Sequence, residues 1–214
     1  MKTKISNMFG TKEEISIWPV LLCLLFFLNS SILPPRENPF SENEKLGLVL
    51  TMEELKLSQD VNEFLRNKWG LDVFVSNQQN AFWDLQKMKR FLKNQDRNNP
   101  LEFLSEGKFN FPEHQEIYNT YVLRGNASIN GGLYVAISLQ EANCLKLLDR
   151  VDQTTNPDLL DNYRDLLLSY GNSLREMHKG MAELGLIYTP QFMSDQTYET
   201  IINKKEFYFE NDIM

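Results

Sequence analysis

The stretch NPDLLDNYRDLLLSYGNSLREMHKGMAELG, residues 156–185, decides the class of fold. Asn156 and Pro157 are an N-cap residue and a first-turn proline, and Gly185 is the residue type that commonly follows the end of a helix. Met177 and Met181 lie one helical turn apart and are predicted to fill a core. The pattern predicts one long helix over residues 157–184.

Three further segments are also predicted to form long helices, over 44–68, 74–95 and 128–152. Ser41 and Glu44 predict a capping box at the start of the first helix, and Gly70 ends it. Apolar residues recur at helical spacing on the first two helices, namely Leu46, Leu50, Leu57, Val61 and Leu65, then Phe74, Ala81, Leu85, Met88 and Leu92.

The connections between these helices suggest how they are arranged. The first and third connections are short, whereas residues 96–126 form a longer crossover with a short helix over 112–124. A last short helix is predicted over 194–202, followed by a polar tail over 204–214, and no strand pattern of any length occurs. We therefore predict an all-α domain over 44–203, a ferritin-like four-helix bundle with a longer connection between its second and third helices.

The N-terminal region differs from the domain in composition. Residues 15–28, ISIWPVLLCLLFFL, carry no charge, and the uncharged run continues to Leu33, about long enough to span a bilayer. Residues 1–33 therefore predict a hydrophobic helix that is either a cleaved signal peptide or a retained signal anchor, and both forms stay open. Residues 34–43 read as a Pro-rich linker. The prediction is an exported or membrane-anchored chain whose N-terminal segment lies in or through a membrane.

Charge and cysteine content exclude several classes of function. The 214 residues carry a net charge of −7 and no basic run, which argues against binding to nucleic acid. Of the two cysteines, Cys23 lies in the apolar N-terminal run and Cys144 in a predicted core helix, so the fold does not depend on a disulfide. The sequence does not identify a protein partner, and whether the chain binds one stays open.

Several segments resemble the ferritin-like family known as domain of unknown function 2202. The resemblance extends over about 44–203 and rests on motifs in the family's order. They are EELKLSQDV (53–61), SNQQN (76–80), SINGGLYVAISLQEANC (128–144), SYGNSLR (169–175), GLIYTP (185–190) and YETII (198–202). The resemblance implies the ferritin-like fold and a probable metal site, and no established substrate.

The departures from the family pattern fall at the positions that the resemblance assigns to metal ligands. Neutral residues stand there: Asn77 and Asn80 on the second helix, Gln140 and Asn143 on the third, Ser173 on the fourth. A helix-one carboxylate, Glu54, remains. Ferritin-like sites use glutamates and histidines because hard carboxylates and imidazoles bind iron and manganese. The sequence therefore predicts no metal, no cofactor and no catalytic set. We expect Glu54 to lie inside the bundle within hydrogen-bond reach of Asn77, Asn80, Gln140 or Ser173.

Other candidate residues are expected to be structural. Glu141 is expected to be solvated or at the edge of the bundle, and His114 and His178 to be structural histidines. The aromatic residues Trp69, Phe74, Phe82 and Trp83 are expected to pack in the core and at helix ends.

Three functions follow from these expectations. The first is a metal-free, degenerate ferritin-like domain that is not an enzyme and acts as a structural or partner-binding module outside the cytoplasm. The second is a di-metal redox or storage protein that uses Glu54, Glu141 and an unrecognised set of ligands. The third is a binder of a small polar ligand among Asn77, Asn80, Gln140 and Ser173.

Overall fold

The computed structural model describes residues 40–204, and this part of the chain is entirely helical apart from its connections. Its six helices are α1 (Glu42–Trp69), α2 (Asp72–Asn94), α3 (Pro112–Ala127), α4 (Ile129–Gln153), α5 (Pro157–Glu183) and α6 (Asp195–Asn203). The predicted all-α class is confirmed. The predicted N-terminal helix and all but the first residue of the tail lie outside the described residues. Among residues 40–204, no helix is long and apolar enough to cross a membrane.

The four long helices pack in neighbouring pairs. Residues 70–71 join α1 to α2, and residues 154–156 join α4 to α5, so each of these pairs is antiparallel. In addition, α1 packs against α4, and α2 packs against α5. The helix α3 lies on α1 and α4, while α6 lies on α5. Each long helix therefore borders two others, and the core lies between them.

The helix α1 is the most enclosed element. Every side chain from Thr51 to Ser58 is buried, because α2, α3 and α4 all contact this helix. The expectation that Leu46 lies in the core was wrong, since this side chain is 52% exposed. The N-terminal part of α1 borders an open cleft there. An all-round buried segment that contains acidic residues must find partners for them.

The helix ends follow the predicted signals. The Ser41 side chain accepts a hydrogen bond from the Glu44 N–H, and the Glu44 carboxylate accepts one from the Ser41 N–H, which completes the capping box. Asn156 caps α5 through the Leu159 N–H. Gly70 has a φ of 66°, the left-handed conformation that glycine adopts without strain.

The crossover is fastened to α1 by buried carboxylates. Glu53 accepts hydrogen bonds from the backbone N–H groups of Asn110 and Phe111, and Asp60 accepts one from Gly107. These bonds fix the direction in which the chain enters α3.

The aromatic residues divide between core and surface. Phe74 is fully buried as expected, but Trp83 is 63% exposed and stacks edge-on against Phe82 at 5.1 Å between ring centroids. The expectation of core packing for Trp83 was wrong, because its place on α2 faces away from α1 and α5.

Candidate functional site

A layer of buried polar side chains lies between the four long helices. Asn77, Gln140, Asn143 and Ser173 are all buried, whereas Asn80 is half-buried. The predicted ligand-equivalent residues on α2, α4 and α5 therefore lie largely inside the protein. Their side chains are neutral amides and a hydroxyl.

Two hydrogen bonds in this layer join different helices. The Asn143 Nδ2 donates to the Ser58 Oγ at 2.7 Å, which joins α4 to α1. The Asn80 Nδ2 donates to the Ser173 Oγ at 3.2 Å, which joins α2 to α5. Amide and hydroxyl groups can satisfy one another in this way because each carries both donors and acceptors.

Ser58 and Asn62 belong to this layer and were missed in the sequence. Glu54 contacts Lys146 and Ser58 contacts Asn143, so α1 and α4 run antiparallel where they pack together. One turn beyond Ser58 is Asn62, which is fully buried and donates back to the Ser58 carbonyl at 2.8 Å. The signal was available, since residues 54, 58 and 62 recur at four-residue steps on one face of the helix.

Glu54 is buried as expected, but its partners are cations instead of amides. The guanidinium of Arg150 donates to both carboxylate oxygens, and the Lys146 Nζ lies 3.2 Å from Oε1. The expected bonds to Asn77, Asn80, Gln140 or Ser173 do not form among the described residues. The reason is position, because Glu54 lies one turn from Ser58, level with the C-terminal part of α4. Burial raises the pKa of Glu54, but the hydrogen bonds and charges of Arg150 and Lys146 outweigh it and lower the pKa.

His114 lies beside the two neighbouring carboxylates of α1. Its Nδ1 is 2.8 Å from the Glu53 Oε2, and its Nε2 is 3.9 Å from the Glu54 Oε1. The ring is buried and fastens the first turn of α3 to α1. This arrangement agrees with the expected structural role of His114. His178 likewise meets the Tyr198 hydroxyl at 3.0 Å from its Nδ1.

Some polar atoms of the layer have no hydrogen-bond partner within residues 40–204. They are both side-chain polar atoms of Asn77, the Oε1 of Gln140 and the Oδ1 of Asn62. A buried polar atom without a partner costs about 1–3 kcal/mol. The layer is therefore polar, but some of its buried polar atoms lack hydrogen-bond partners within residues 40–204.

A cleft of about 360 Å³ opens away from this layer, between the N-terminal part of α1 and the C-terminal part of α4. Gly47 and Leu50 line one side, Lys146 and Arg150 the other, and Tyr163 of α5 lies between them. The cleft carries both charges and apolar side chains, and it reaches Arg150, the partner of Glu54.

The donor set of the layer does not suit a metal of the ferritin type. In the described part of the chain, no three acidic, histidine or cysteine side chains gather as a metal site would require. Neutral amide oxygens supply no negative charge to offset clustered cations in a low-dielectric interior. Cys144 is fully buried, and burial raises the pKa of its thiol, so the reactive thiolate is disfavoured.

Glu141 was expected at the bundle edge, and this expectation was wrong. The side chain is fully buried and accepts hydrogen bonds from the Tyr188 hydroxyl and from backbone N–H groups between Gln191 and Met193. The error arose because its partners follow about fifty residues later in the chain, where no local pattern reveals them.

Comparison with known proteins identifies relatives of this chain. The chain is 30% identical over 167 residues to the uncharacterized protein MJ0754 of Methanocaldococcus jannaschii, which covers 78% of this chain and 90% of that relative. The crystal structure of hypothetical protein MJ0754 from Methanococcus jannaschii matches with a TM-score of 0.75 at 31% identity, covering 82% of this chain and 99% of that one. A family model described as an uncharacterized protein domain (DUF2202) matches residues 44–205. The predicted resemblance is thereby confirmed at the level of the family, and the chain belongs to the DUF2202 domain family.

Proposed function

We propose that this protein is a metal-free, ferritin-like four-helix domain that acts as a structural or partner-binding module and not as an enzyme. The antiparallel pairing of α1 with α2 and of α4 with α5, with a long crossover between the pairs, supports the ferritin-like arrangement. The neutral side chains between these helices support the absence of metal chemistry.

The observation that carries the proposal is the pairing of amides with hydroxyls in the buried layer. The Asn143 amide donates a hydrogen bond to the Ser58 hydroxyl, and the Asn80 amide donates one to the Ser173 hydroxyl. The carboxylate of Glu54, one turn from Ser58 on α1, is already neutralised by Arg150 and Lys146. A cation entering this layer would meet neutral oxygens, which supply no negative charge to offset its own.

Metal content tests the proposal directly. Protein produced with iron and manganese supplied, then dialysed, should retain no stoichiometric iron, manganese or zinc. Wild-type protein that keeps two metals per chain would contradict the proposal and favour the di-metal alternative.

Restoration of ligands provides the positive control for the metal measurement. The changes Asn77→Glu, Asn80→His, Gln140→Glu and Ser173→His together should create measurable metal affinity. Adding Ser58→Glu to this set should raise the affinity further, because Ser58 reaches the layer whereas Glu54 pairs with Arg150. No gain of metal in either variant would count against the assigned equivalence.

A second candidate function is the binding of a small, neutral, polar molecule in the layer. The unpartnered amide of Asn77 and oxygen of Gln140 favour it, because a guest could satisfy both. Small amides and polyols should then raise the melting temperature of the wild-type protein more than that of Asn77→Leu. An equal response of both proteins would contradict this function.

The same proposal includes export or membrane anchoring through residues 1–33. Its support is the uncharged run that begins at Ile15 and the Pro-rich linker after it. Cell fractionation with N-terminal sequencing separates the two forms, since cleavage removes about the first 33 residues and anchoring retains the full chain in the membrane fraction. An uncleaved full-length chain in the cytosolic fraction would contradict both forms.

A further inference from the structure

The motif GLIYTP, residues 185–190, has no part in the buried amide layer. It follows α5, where Gly185 adopts a φ of 70° and lets the chain reverse. The Leu186 N–H donates to the Met181 carbonyl, which closes the end of α5. The chain then runs through residues 186–193 into α6. We call residues 186–203 the C-terminal strap.

The strap presents a group of hydrogen-bond donors to one side chain of α4. The backbone N–H groups of Gln191, Phe192 and Met193 lie 3.0, 2.7 and 2.8 Å from the Oε1 of Glu141. The Tyr188 hydroxyl lies 2.5 Å from the Oε2, and the Gln191 N–H is also 3.0 Å from that oxygen. Both oxygens of one buried carboxylate are therefore occupied.

Three consecutive backbone N–H groups that point to one place form an anion-binding concavity. The acceptor here is a full carboxylate, so these hydrogen bonds are stronger than bonds between neutral groups. A charged carboxylate that is fully buried requires such compensation, because transfer of an unpaired charge from water is very costly. Each of these donors is neutral, so the strap solvates the charge without an ion pair.

We infer that residues 185–193 form a carboxylate receptor, with Glu141 as its built-in ligand, and that this contact fixes the strap to α4. The GLIYTP motif builds the receptor: Gly185 supplies the turn, Tyr188 the hydroxyl donor, and Pro190 leads directly into the three N–H groups. The Ser138 hydroxyl, 3.2 Å from the Tyr188 oxygen, orients the phenol from the same face of α4.

Besides Glu141, the strap is attached to α4 by the Tyr134 hydroxyl, which donates to the Ile187 carbonyl at 2.8 Å, and to α5 by contacts of another kind. Tyr198 meets His178, and the Arg175 guanidinium donates to the Ile201 carbonyl at 2.7 Å. These contacts hold α6, whereas Glu141 holds residues 188–193. Loss of Glu141 should therefore release the first part of the strap while α6 stays on α5.

The test removes the built-in ligand and offers a free one to the full chain. Glu141→Ala leaves the donors unpaired beside a cavity the size of a carboxylate. We expect its melting temperature to fall by about 5–10 °C, and hydrogen exchange to accelerate at residues 188–193 more than in α1 and α2. Sodium formate should reverse much of both effects, and sodium chloride at equal ionic strength should not.

Two variants serve as controls. Glu141→Gln keeps the volume but turns an NH₂ group toward the donors, so it should lose protection at the strap and gain nothing from formate. Glu199→Ala removes an exposed carboxylate of α6 and should behave as the wild type with either salt.

Specific outcomes overturn the inference. Wild-type exchange rates at residues 188–193 in Glu141→Ala would do so, as would equal stabilisation of the alanine and glutamine variants by formate. If Glu141→Ala does not fold, Glu141→Gln provides the test. Hydrogen exchange at its residues 188–193 that is as slow as in the wild type would overturn the inference.

Discussion

Glu54 carries a carboxylate into the interior of the protein, and the cations beside it determine its contribution to stability. Arg150 binds it through two nitrogens, and Lys146 approaches from the rim. Removal of one partner from a buried ion pair leaves the other charge uncompensated, which is more costly than replacement of the whole pair. Stability at this residue therefore depends on the pair and not on Glu54 alone.

Glu54→Gln should lower the free energy of unfolding at pH 7 by about 2–4 kcal/mol, because Arg150 then keeps a buried charge without a counterion. The folded-state pKa of Glu54 is lowered, so its contribution is present above the unfolded-state pKa of about 4.3 and is lost as the pH falls through the folded-state value. Urea titrations at pH 7, 5 and 4 should therefore show a gap to wild type that narrows only at the lowest pH.

The matched control for Glu54 is Glu63→Gln, which removes the partner of Arg66 at the surface of the same helix. This change should cost less than about 1 kcal/mol, as expected of a partly exposed pair. A neutral or stabilising Glu54→Gln at pH 7 would contradict the ion-pair account.

Asn77 differs from Glu54, because its buried amide has no hydrogen-bond partner within residues 40–204. Asn77→Leu should raise the free energy of unfolding by about 1–2 kcal/mol, since it replaces an unsatisfied polar group by an apolar side chain with the same branching. Asn143→Leu is the control and should be destabilising, because it breaks the bond to Ser58. Urea titration measures both, and a loss of stability in Asn77→Leu would contradict the view that the amide is unsatisfied.

At the scale of the element, Glu44 joins the starts of two helices. It accepts from the Ser41 N–H at the start of α1, and from the N–H groups of Thr155 and Asn156 before α5. Burial raises the pKa of Glu44, but these backbone hydrogen bonds outweigh it and lower the pKa to about 2. The first backbone N–H groups of a helix have no acceptor within the helix. The Glu44 carboxylate supplies such an acceptor at the start of both α1 and α5.

Glu44→Gln should destabilise the protein by about 1–2 kcal/mol at pH 7, because an amide oxygen accepts these backbone hydrogen bonds more weakly than a carboxylate does. The contribution is fully present above the ordinary pKa of 4.5 and decays as the pH falls toward about 2. Denaturant titrations from pH 6 to pH 2.5 should show the two proteins converging. Glu42→Gln, on the same turn but exposed, should follow wild type throughout, and a pH-independent gap for Glu44→Gln would contradict the assignment.

At the scale of the whole molecule, Phe40 attaches the residues before α1 to the bundle. Phe40 is buried and packs against Phe91 at 6.0 Å between ring centroids, and Ser41 caps α1. Phe40 is therefore an aromatic anchor before α1 that no local pattern distinguished.

A chain that begins at Pro39 should keep the fold and be more soluble than the full chain. A chain that begins at Glu42 should lose about 3 kcal/mol more, the combined effect of one buried aromatic side chain and one N-cap. Urea unfolding followed by far-UV circular dichroism compares the two. Unfolding of the longer chain would mean that the N-terminal segment belongs to the core, and equal midpoints would contradict the role given to Phe40.

Local interactions account for what was predictable from the sequence. Asn156, Pro157 and Gly185 mark helix ends through contacts within a few residues, so helix positions were accessible without the fold. The neutral chemistry at Asn77, Asn80, Gln140 and Ser173 was likewise visible from residue type and family resemblance. Ser58 and Asn62 were missed although they lie at four-residue steps from Glu54, because that spacing identifies a face of α1 and not the helix that packs against it.

The sequence by itself therefore determined the helical class, the helix ends and the neutral side chains at Asn77, Asn80, Gln140 and Ser173, because these depend on near neighbours and on residue identity. Only the tertiary structure decided which carboxylates are buried and what compensates them. Glu54 depends on Arg150, Glu53 on His114, and Glu141 on the strap, all of them partners many residues away. A buried charge is stable only with its specific partners, and the packing of distant helices alone brings those partners to it.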